Sequence, residues 1–582
     1  MNSSLRLLLE DFLGLMKEEG ELDVFLPLLM SAMGHEVVYR PQKGPRQYGV
    51  DVLSVGPDEA GTKTLFLWLV KCGDIGRADW DSGPQSIYQS TNDVAVYLRS
   101  HIAPQHQALK KKLLIVTNGD FRANLVETIA AFLEDWSRLR GVPAEMVNGS
   151  TLAAWTEQHL LNEYVLPSAN RALLRRMLAN VSIPELSAKL GRSLIDELLK
   201  GIAQPAKSQR AEAKQFLTGM RGIRTALTVL HIIAGSEGNF LSSYLVSQYT
   251  VLAAWAGLHG KLINGERAAV VEFHEVLAHL AIVAEAYHQR MEGFYLVQDG
   301  FAHKLPDHVL VSQHVFDELG RLGVQGCLMA NMAGSATADT GKPEMEALAH
   351  GYANRIAALL SSHSCSALPV YDHHSAHIHA ALLSLVVCRQ HEEAKAWLES
   401  LCARLHHATG IRKFLPMSGS FEEALSIRHG YAEMADENCA VSTLFPILLV
   451  WTAVLGMDDF YKILREQVHP RLQKSTPNFW SSEEGFDAVV ASPIDLHEHG
   501  IGEPISHFPE DPQQFLHMMS QTLRDVEPIE SCAWYRARAP YVPLLAAIHW
   551  GTQVPRVALV KQAIAFASSV EAMADAPVAQ TL

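Results

Sequence analysis

Two neighbouring segments decide the fold: GVDVLSV (49–55) and TLFLWLVKCGD (64–74). Residues 64–71 form an unbroken apolar run that ends in a lysine, the pattern of a central strand covered on both faces. VDVLSV (50–55) reads as the strand before it, and GPDEAGTK (56–63) supplies the turn residues that close a hairpin. Upstream, HEVVYRP (35–41) is a third strand, joined through the turn KGPRQYG (43–49) and preceded by a helical region, 4–33, broken at Gly20 and Pro27 and ended by Gly34. Downstream come a helix over 82–101, a buried strand KKLLIVTN (111–118), an amphipathic helix over 121–140, a strand PAEMVNG (143–149) and a helix with Ser150 as its N-cap. The order α-β-β-β-α-β-α-β-α is a meander followed by crossovers, which gives a mixed α/β layer structure.

From residue 166 onward the pattern is helical. Proline-bearing joints separate amphipathic segments such as 269–292, 344–362 and 376–408, and the Gly-, Pro- and His-rich stretch 476–512 reads as a long structured loop. The expected organisation is therefore an α/β domain (1–165), a basic helical connector (166–230) and a large all-α region of solenoid type (231–582), although no strict sequence period repeats. With 48% hydrophobic and 19% charged residues over 582 positions, the chain has enough apolar surface for several cores and is not a disordered polymer. Its longest apolar run, LFPILLVWTAVL (444–455), falls short of the ~20 residues that cross a bilayer and carries Pro446. The opening residues, with Asp11, Glu18 and Glu19, read as a helix and not as a signal peptide. Seven scattered cysteines without close pairs argue against a zinc ribbon or disulfide framework. These features lead to the expectation of a soluble cytoplasmic protein with no membrane partner.

Charge is unevenly distributed. The chain carries 48 Lys and Arg against 63 Asp and Glu, a net of −15. Residues 166–230 reverse the sign with 11 basic and 4 acidic positions, while 231–582 hold 22 basic and 38 acidic. Clustered cations release counterions from a phosphate backbone, so the basic segment is where a DNA contact is expected. The acidic remainder suits a protein partner or a second copy of the chain better.

Phosphodiester hydrolysis needs acids that hold Mg²⁺ and a lysine that offsets charge growing on the phosphorane. Asp51 opens one strand and Lys71 closes the next, so a hairpin brings both to one end of the sheet. With these residues, and with AMGHEV, GVDVLSV, LWLVKCGD, IVTNGDF and MVNGSTLAAW in that order, residues 5–160 resemble the restriction-endonuclease-like PD-(D/E)XK superfamily, and within it the Mrr-type domains. The resemblance implies a restriction-endonuclease-like α/β fold and a Mg²⁺- (or Mn²⁺-) dependent DNA endonuclease of restriction or phage-defence type. It also implies Asp51 as metal ligand, Lys71 as catalytic lysine, Glu21 or Asp23 as accessory metal ligand, and Gln85 and Gln89 as supporting polar groups. The chain departs from the family at Leu69, where the motif has Glu, Asp or Gln; Glu21, Asp74, Asp79 and Asp81 are the local substitutes. The departure motivates an alternative: a degenerate nuclease fold that serves as a scaffold for a partner protein.

Three other constellations invite a chemical reading. DHHSAHIHA (372–380) places His373 and His377 four apart on a helix, a spacing that can clamp a metal, though no HExxH pattern accompanies it. Arg224 and His231 have a separation similar to the Arg–His pair of HEPN-type ribonucleases, which gives a weaker ribonuclease alternative. GSATADTGKP (334–343) fails as a phosphate loop because its glycines are too far apart and Pro343 follows the lysine.

Overall fold

The computed structural model describes the chain apart from residues 1–8, 11–12, 15, 17–21, 40–48, 84–85, 161–167, 206, 304, 306, 337–340, 412–419, 432–439, 473–474, 484, 527–530, 557, 560–562 and 564–582. By internal contacts the chain divides into two compact units, Met1–Val246 and Ser247–Leu582. The basic segment 166–230 thus belongs to the first unit.

The first unit is built on a five-stranded sheet in the order β1 (Glu36–Tyr39), β2 (Val52–Pro57), β3 (Lys63–Lys71), β4 (Lys110–Thr117), β5 (Ala144–Val147). β1, β2 and β3 pair antiparallel, while β4 and β5 add in parallel through helical crossovers, so the sheet is mixed as the element order requires. Helices Ile87–Ser100 and Ala123–Arg140 cover one face. There Leu53, Val55, Leu65, Leu67 and Leu113 pack against Val94 and Trp136. Nearer the strand ends, Leu69 and Ile115 join Ile75, Trp80, Ile87, Leu125, Ile129 and Leu133. On the other parity, the Ser54 hydroxyl accepts from Trp68 Nε1 (2.9 Å) and bonds His35 Nδ1 (3.1 Å), which seats a polar atom among aromatic rings.

Two local details differ from the sequence reading. The segment expected as one helix over 82–101 is a short helix, Arg77–Asp81, then Ile87–Ser100 capped by Ser86; Gly83, with φ +88°, lies in the break. The N-cap of helix Gly149–Trp155 is Asn148, whose Oδ1 accepts from Thr151 N at 3.0 Å, while the Ser150 hydroxyl donates to Glu10 (2.9 Å). An amide oxygen one residue outside the first turn reaches its orphan N–H groups, which a serine already inside the helix cannot do. Three further helices complete this unit's main elements, Ser168–Ala179, Pro184–Ala203 and Gln209–Ser236.

The second unit is mainly helical. Helix His308–Ser335 lies unusually close to His374–Val387 because Gly320, Gly323 and Gly326 line the contact; a Cβ on Gly323 would sit 2.5 Å from the Ala380 carbonyl carbon. The stretch expected as a helix over 376–408 is two helices, His374–Val387 and His391–Ile411, with Arg389 at φ +62° between them. The all-α expectation is corrected by a small three-stranded sheet, β6 (Val441–Ser442), β7 (Thr476–Ser482) and β8 (Gly500–Pro504). Part of the expected 476–512 loop is thus a strand pair, with β7 and β8 antiparallel and β6 parallel to β7, and two short helices, Phe486–Val489 and Pro493–Glu498, lie in the connection.

Candidate functional site

Asp51 lies one residue before β2, and its N–H donates to Trp68 O (2.9 Å), which continues the ladder by one step. The register pairs Val52 with Trp68 and Leu53 with Leu67, so Asp51 falls opposite Leu69. Side chains alternate along strands, which puts Asp51, Leu69 and Lys71 on one face at one end of the sheet. Gly49 shapes the approach: it has φ +75°, and a Cβ there would stand 2.1 Å from Ser90 O on the neighbouring helix, so only glycine fits.

The chemistry at this end is narrower than the family pattern. One carboxylate oxygen of Asp51 accepts from the Val70 N–H at 2.7 Å, closing the ladder beyond the last regular pair. Leu69 is 1% exposed and packed in the core cluster, so the position that carries a second acid in the family contributes apolar contacts instead. Lys71 is half-buried and makes no hydrogen bond or ion pair among the described residues. The local substitutes are engaged elsewhere. Asp74 accepts from Asp120 N (3.0 Å), Asp79 accepts from Gly76 N (2.9 Å), and Asp81 pairs with Arg77 at 3.7 Å. Asp23 is half-buried with its Oδ1 unpartnered. Gln89 is exposed on helix Ile87–Ser100, where its backbone N–H is capped by Ser86 (3.4 Å). Glu21 and Gln85 lie outside the described residues. Among the described residues no group of three or more His, Cys, Asp or Glu is disposed to hold a metal ion. With Leu69 as neighbour and one oxygen held by a backbone N–H, Asp51 does not by itself match the donor set of a Mg²⁺ site.

A residue not singled out in the sequence organises the adjacent loops. Asn118, 2% exposed, accepts from Gly73 N through Oδ1 (2.7 Å) and donates through Nδ2 to Leu13 O (2.7 Å) and Met16 O (3.0 Å). It thereby ties the segment after β3 to the N-terminal residues. Its only sequence signal is an asparagine followed by glycine directly after a buried strand.

On the basic helices of this unit Arg176, Lys189, Arg210 and Lys214 are exposed, as is Lys207 in the bend before helix Gln209–Ser236, whereas Arg221 and Arg224 are half-buried. His231 packs its ring 5.5 Å from that of Phe240, and burial pulls its pKa down to about 4. At neutral pH it is therefore an uncharged imidazole.

In the second unit, the histidine-rich segment is tied into the fold. His373 Nδ1 bonds Gly551 O (2.9 Å), His377 Nδ1 meets His373 O (3.3 Å), and His377 Nε2 lies 3.6 Å from Asp317. Burial lowers the His377 pKa to about 4. Asp372, 4% exposed, accepts from Ser442 Oγ (2.7 Å), Thr443 N (2.8 Å), Thr443 Oγ1 (2.6 Å) and Leu444 N (3.1 Å). It caps helix Leu444–Val454 from a distant part of the chain. A second buried carboxylate, Glu318, accepts from Tyr287 (2.6 Å) and Tyr295 (2.7 Å) and pairs with Arg321. Burial opposes its ionisation, but Arg321 and neighbouring imidazoles outweigh that and hold its pKa at about 2.

No helix among the described residues is long and apolar enough to cross a membrane. Comparison with family models, with curated proteins and with solved structures finds no match to this chain.

Proposed function

We propose that the first unit is a restriction-endonuclease-like module that binds DNA without hydrolysing it, and that the second, largely helical unit engages a protein partner or a second copy of the chain. The observation carrying this reading is Leu69, packed in the core opposite an aspartate whose carboxylate is already bonded to the strand backbone. DNA as ligand is supported by the exposed cations on helices Ser168–Ala179, Pro184–Ala203 and Gln209–Ser236, which fold in the same unit as the sheet. Phosphate contacts from such residues release counterions, so affinity for a duplex of arbitrary sequence should fall steeply between about 50 and 200 mM salt. The test is twofold: fluorescence polarisation of a labelled duplex across that salt range, and plasmid nicking with Mg²⁺ or Mn²⁺. Salt-sensitive binding with no nicking is expected. Nicking by the wild type that disappears in Asp51→Ala and in Lys71→Ala would overturn the non-hydrolytic reading.

That outcome would establish the second reading, an endodeoxyribonuclease of restriction or phage-defence type. Its support is the shared face and shared end of Asp51 and Lys71, with the Lys71 ammonium unengaged among the described residues. Glu21 is then the residue to complete a Mg²⁺ or Mn²⁺ site with Asp51. Gln85 and Gln89 would support it, and a Glu21→Gln variant would lose nicking as completely as Asp51→Ala.

A further inference from the structure

We propose that the second unit holds an anionic amphiphile, a short acyl chain ending in a carboxylate or a phosphate, in a cleft between the start of helix His308–Ser335 and helix His391–Ile411. The inference is independent of the nuclease-fold reading, which concerns the other unit. The cavity measures about 300 Å³, at the lower end of the ~300–1,000 Å³ typical of ligand pockets. At roughly 30 Å³ per water-sized group, that is room for about ten heavy atoms. One short chain fits, and a two-chain lipid does not.

The walls are held in place before any guest arrives. Helix His391–Ile411 contributes Leu401, Arg404, Leu405 and Ala408, spaced three and four apart and so on one face. A second wall is the short 3-10 helix Ser364–Ala367 with residues 368–370 after it. Trp397 Nε1 donates to Ser366 O (2.9 Å), and Ser312 Oγ donates to Leu368 O (2.7 Å), which pins this segment to both helices. The Leu368 side chain is 43% exposed, and Cys365 and Ala408 are half-buried, so apolar surface within the cleft is open to a guest. Burial pushes the Cys365 thiol up to about 11, which leaves it uncharged at neutral pH and no obstacle to an anion.

Two arginines set the sign of the guest. Arg404 and Arg428 line the cavity, and no Asp or Glu is among the described residues that do. This runs against the trend of residues 231–582, where acids outnumber bases 38 to 22. Neither arginine makes a hydrogen bond or ion pair among the described residues. Helical neighbours three and four positions away are the usual partners. Those of Arg404 are Ser400, Leu401, His407 and Ala408, and those before Arg428 are Ala424 and Leu425, none of them acidic. The acids next to lining residues are engaged: Asp307 with Val309 N (2.7 Å) and His429 (3.6 Å), and Asp299 with Ser364 N (3.1 Å). Arg404 is exposed, and Arg428 is half-buried with its nitrogens still reached by solvent, so both forks can take an oxyanion. A guanidinium pairs with carboxylate or phosphate through two parallel N–H donors. Beside an apolar wall it selects a negative head and an uncharged tail.

The experiment is calorimetric titration of the full-length chain with octanoate, octyl phosphate, octanol, octyltrimethylammonium and acetate, repeated on Arg404→Met/Arg428→Met and on Ala408→Leu. Each variant's melting temperature is measured alongside. Saturable binding of octanoate or octyl phosphate is expected below about 1 mM, at least about tenfold tighter than octanol or the ammonium, with no binding of acetate. The tighter of the two anions identifies the head group. The double arginine variant should bind that anion about tenfold or more weakly and octanol as the wild type does, a split that damage to the fold would not give. Ala408→Leu, which fills the space, should weaken the anion by a similar factor. Absence of anion binding up to about 1 mM, octanol or the ammonium binding as tightly as the anions, or wild-type anion affinity in either variant would each overturn the assignment. Should Ala408→Leu melt lower, the arginine variant decides alone, because its side chains have no partner to lose.

Discussion

Asp51 separates a structural role from a catalytic one, because the two roles predict different responses to the same change. In Asp51→Ala the backbone bond from residue 51 to Trp68 O survives, but the 2.7 Å bond from Val70 N–H to the carboxylate is lost. Val70 is 7% exposed, so water reaches its freed N–H poorly. A hydrogen bond to a charged acceptor contributes about 1.5–3 kcal/mol. The end of β3 should then open more easily by that amount, which corresponds to a roughly 10- to 150-fold loss of protection at the Val70 amide. Native-state hydrogen exchange read on peptides spanning 66–72 is the suitable assay, since a two-unit chain does not give a single unfolding equilibrium. Asp51→Asn keeps an oxygen acceptor without the charge and should lose less than tenfold. Unchanged Val70 protection in Asp51→Ala would show that the carboxylate is not holding the strand. It would then be available for a metal, against the binding-only reading.

Three other substitutions test the framework around the sites. Glu318→Gln leaves Arg321 without its buried counter-charge and should cost about 3–5 kcal/mol of local stability, read by native-state hydrogen exchange on peptides of helix His308–Ser335; a loss below about 1 kcal/mol would mean that the pair is solvated. The Glu318 pKa is held at about 2 in the native protein against 4.5 for an unperturbed glutamate. Its stabilisation, about 3 kcal/mol, is therefore complete above pH 4.5 and fades as the pH falls toward 2. Acid titration of wild type against Glu318→Gln should show a difference that shrinks in that window, and a difference independent of pH would refute the assignment. Asp372→Ala strips four acceptor bonds from the start of helix Leu444–Val454 and should destabilise the second unit by about 3–5 kcal/mol, read by native-state hydrogen exchange on peptides spanning 442–454. Gly49→Ala drives a methyl to within 2.1 Å of a backbone oxygen at positive φ; a loss of about 2–4 kcal/mol is expected, and a neutral change would put the turn elsewhere.

What the sequence made legible was local and periodic. The apolar run 64–71, the turn residues flanking it and the alternating elements that follow specified a meander with two crossovers, because each strand's burial is written in its own composition. The elements that escaped depend on distant partners. β8 has glycine at two of its five positions and proline at its end, so nothing in its composition signals a strand; it exists because β7 offers a ladder. The break at Arg389 has neither glycine nor proline to announce it. Asp372 looked like part of a histidine cluster, yet its bonds go some 70 residues along the chain to Ser442, Thr443 and Leu444. The Gly320, Gly323 and Gly326 stripe was visible in the sequence, but its meaning needed the facing helix.

The same reasoning applies to Leu69. A carboxylate at that position would have to sit among Ile75, Trp80, Ile87 and Ile115, where burial raises its pKa unless a cation offsets the lost hydration. Leucine removes that demand, and a fully buried leucine contributes about 1.5–3 kcal/mol. The neighbouring aspartate then faces no second acid across the ladder, and one of its carboxylate oxygens accepts from the strand backbone. Two residues facing each other across one ladder thus point the same way: the core gains an apolar contact where the PD-(D/E)XK motif that this segment resembles has an acid. Restoring the acid tests this argument at its weakest point. In Leu69→Glu the apolar surroundings should destabilise the first unit by more than about 2 kcal/mol, and added Mn²⁺ should recover part of that loss only if Asp51 can leave Val70 and turn to the metal. Recovery by Mn²⁺ in Leu69→Glu that vanishes in Leu69→Glu/Asp51→Ala would mean that the ligand geometry is intact and that a single substitution separates binding from cleavage. No recovery would mean that the backbone bond has fixed Asp51 in its structural role.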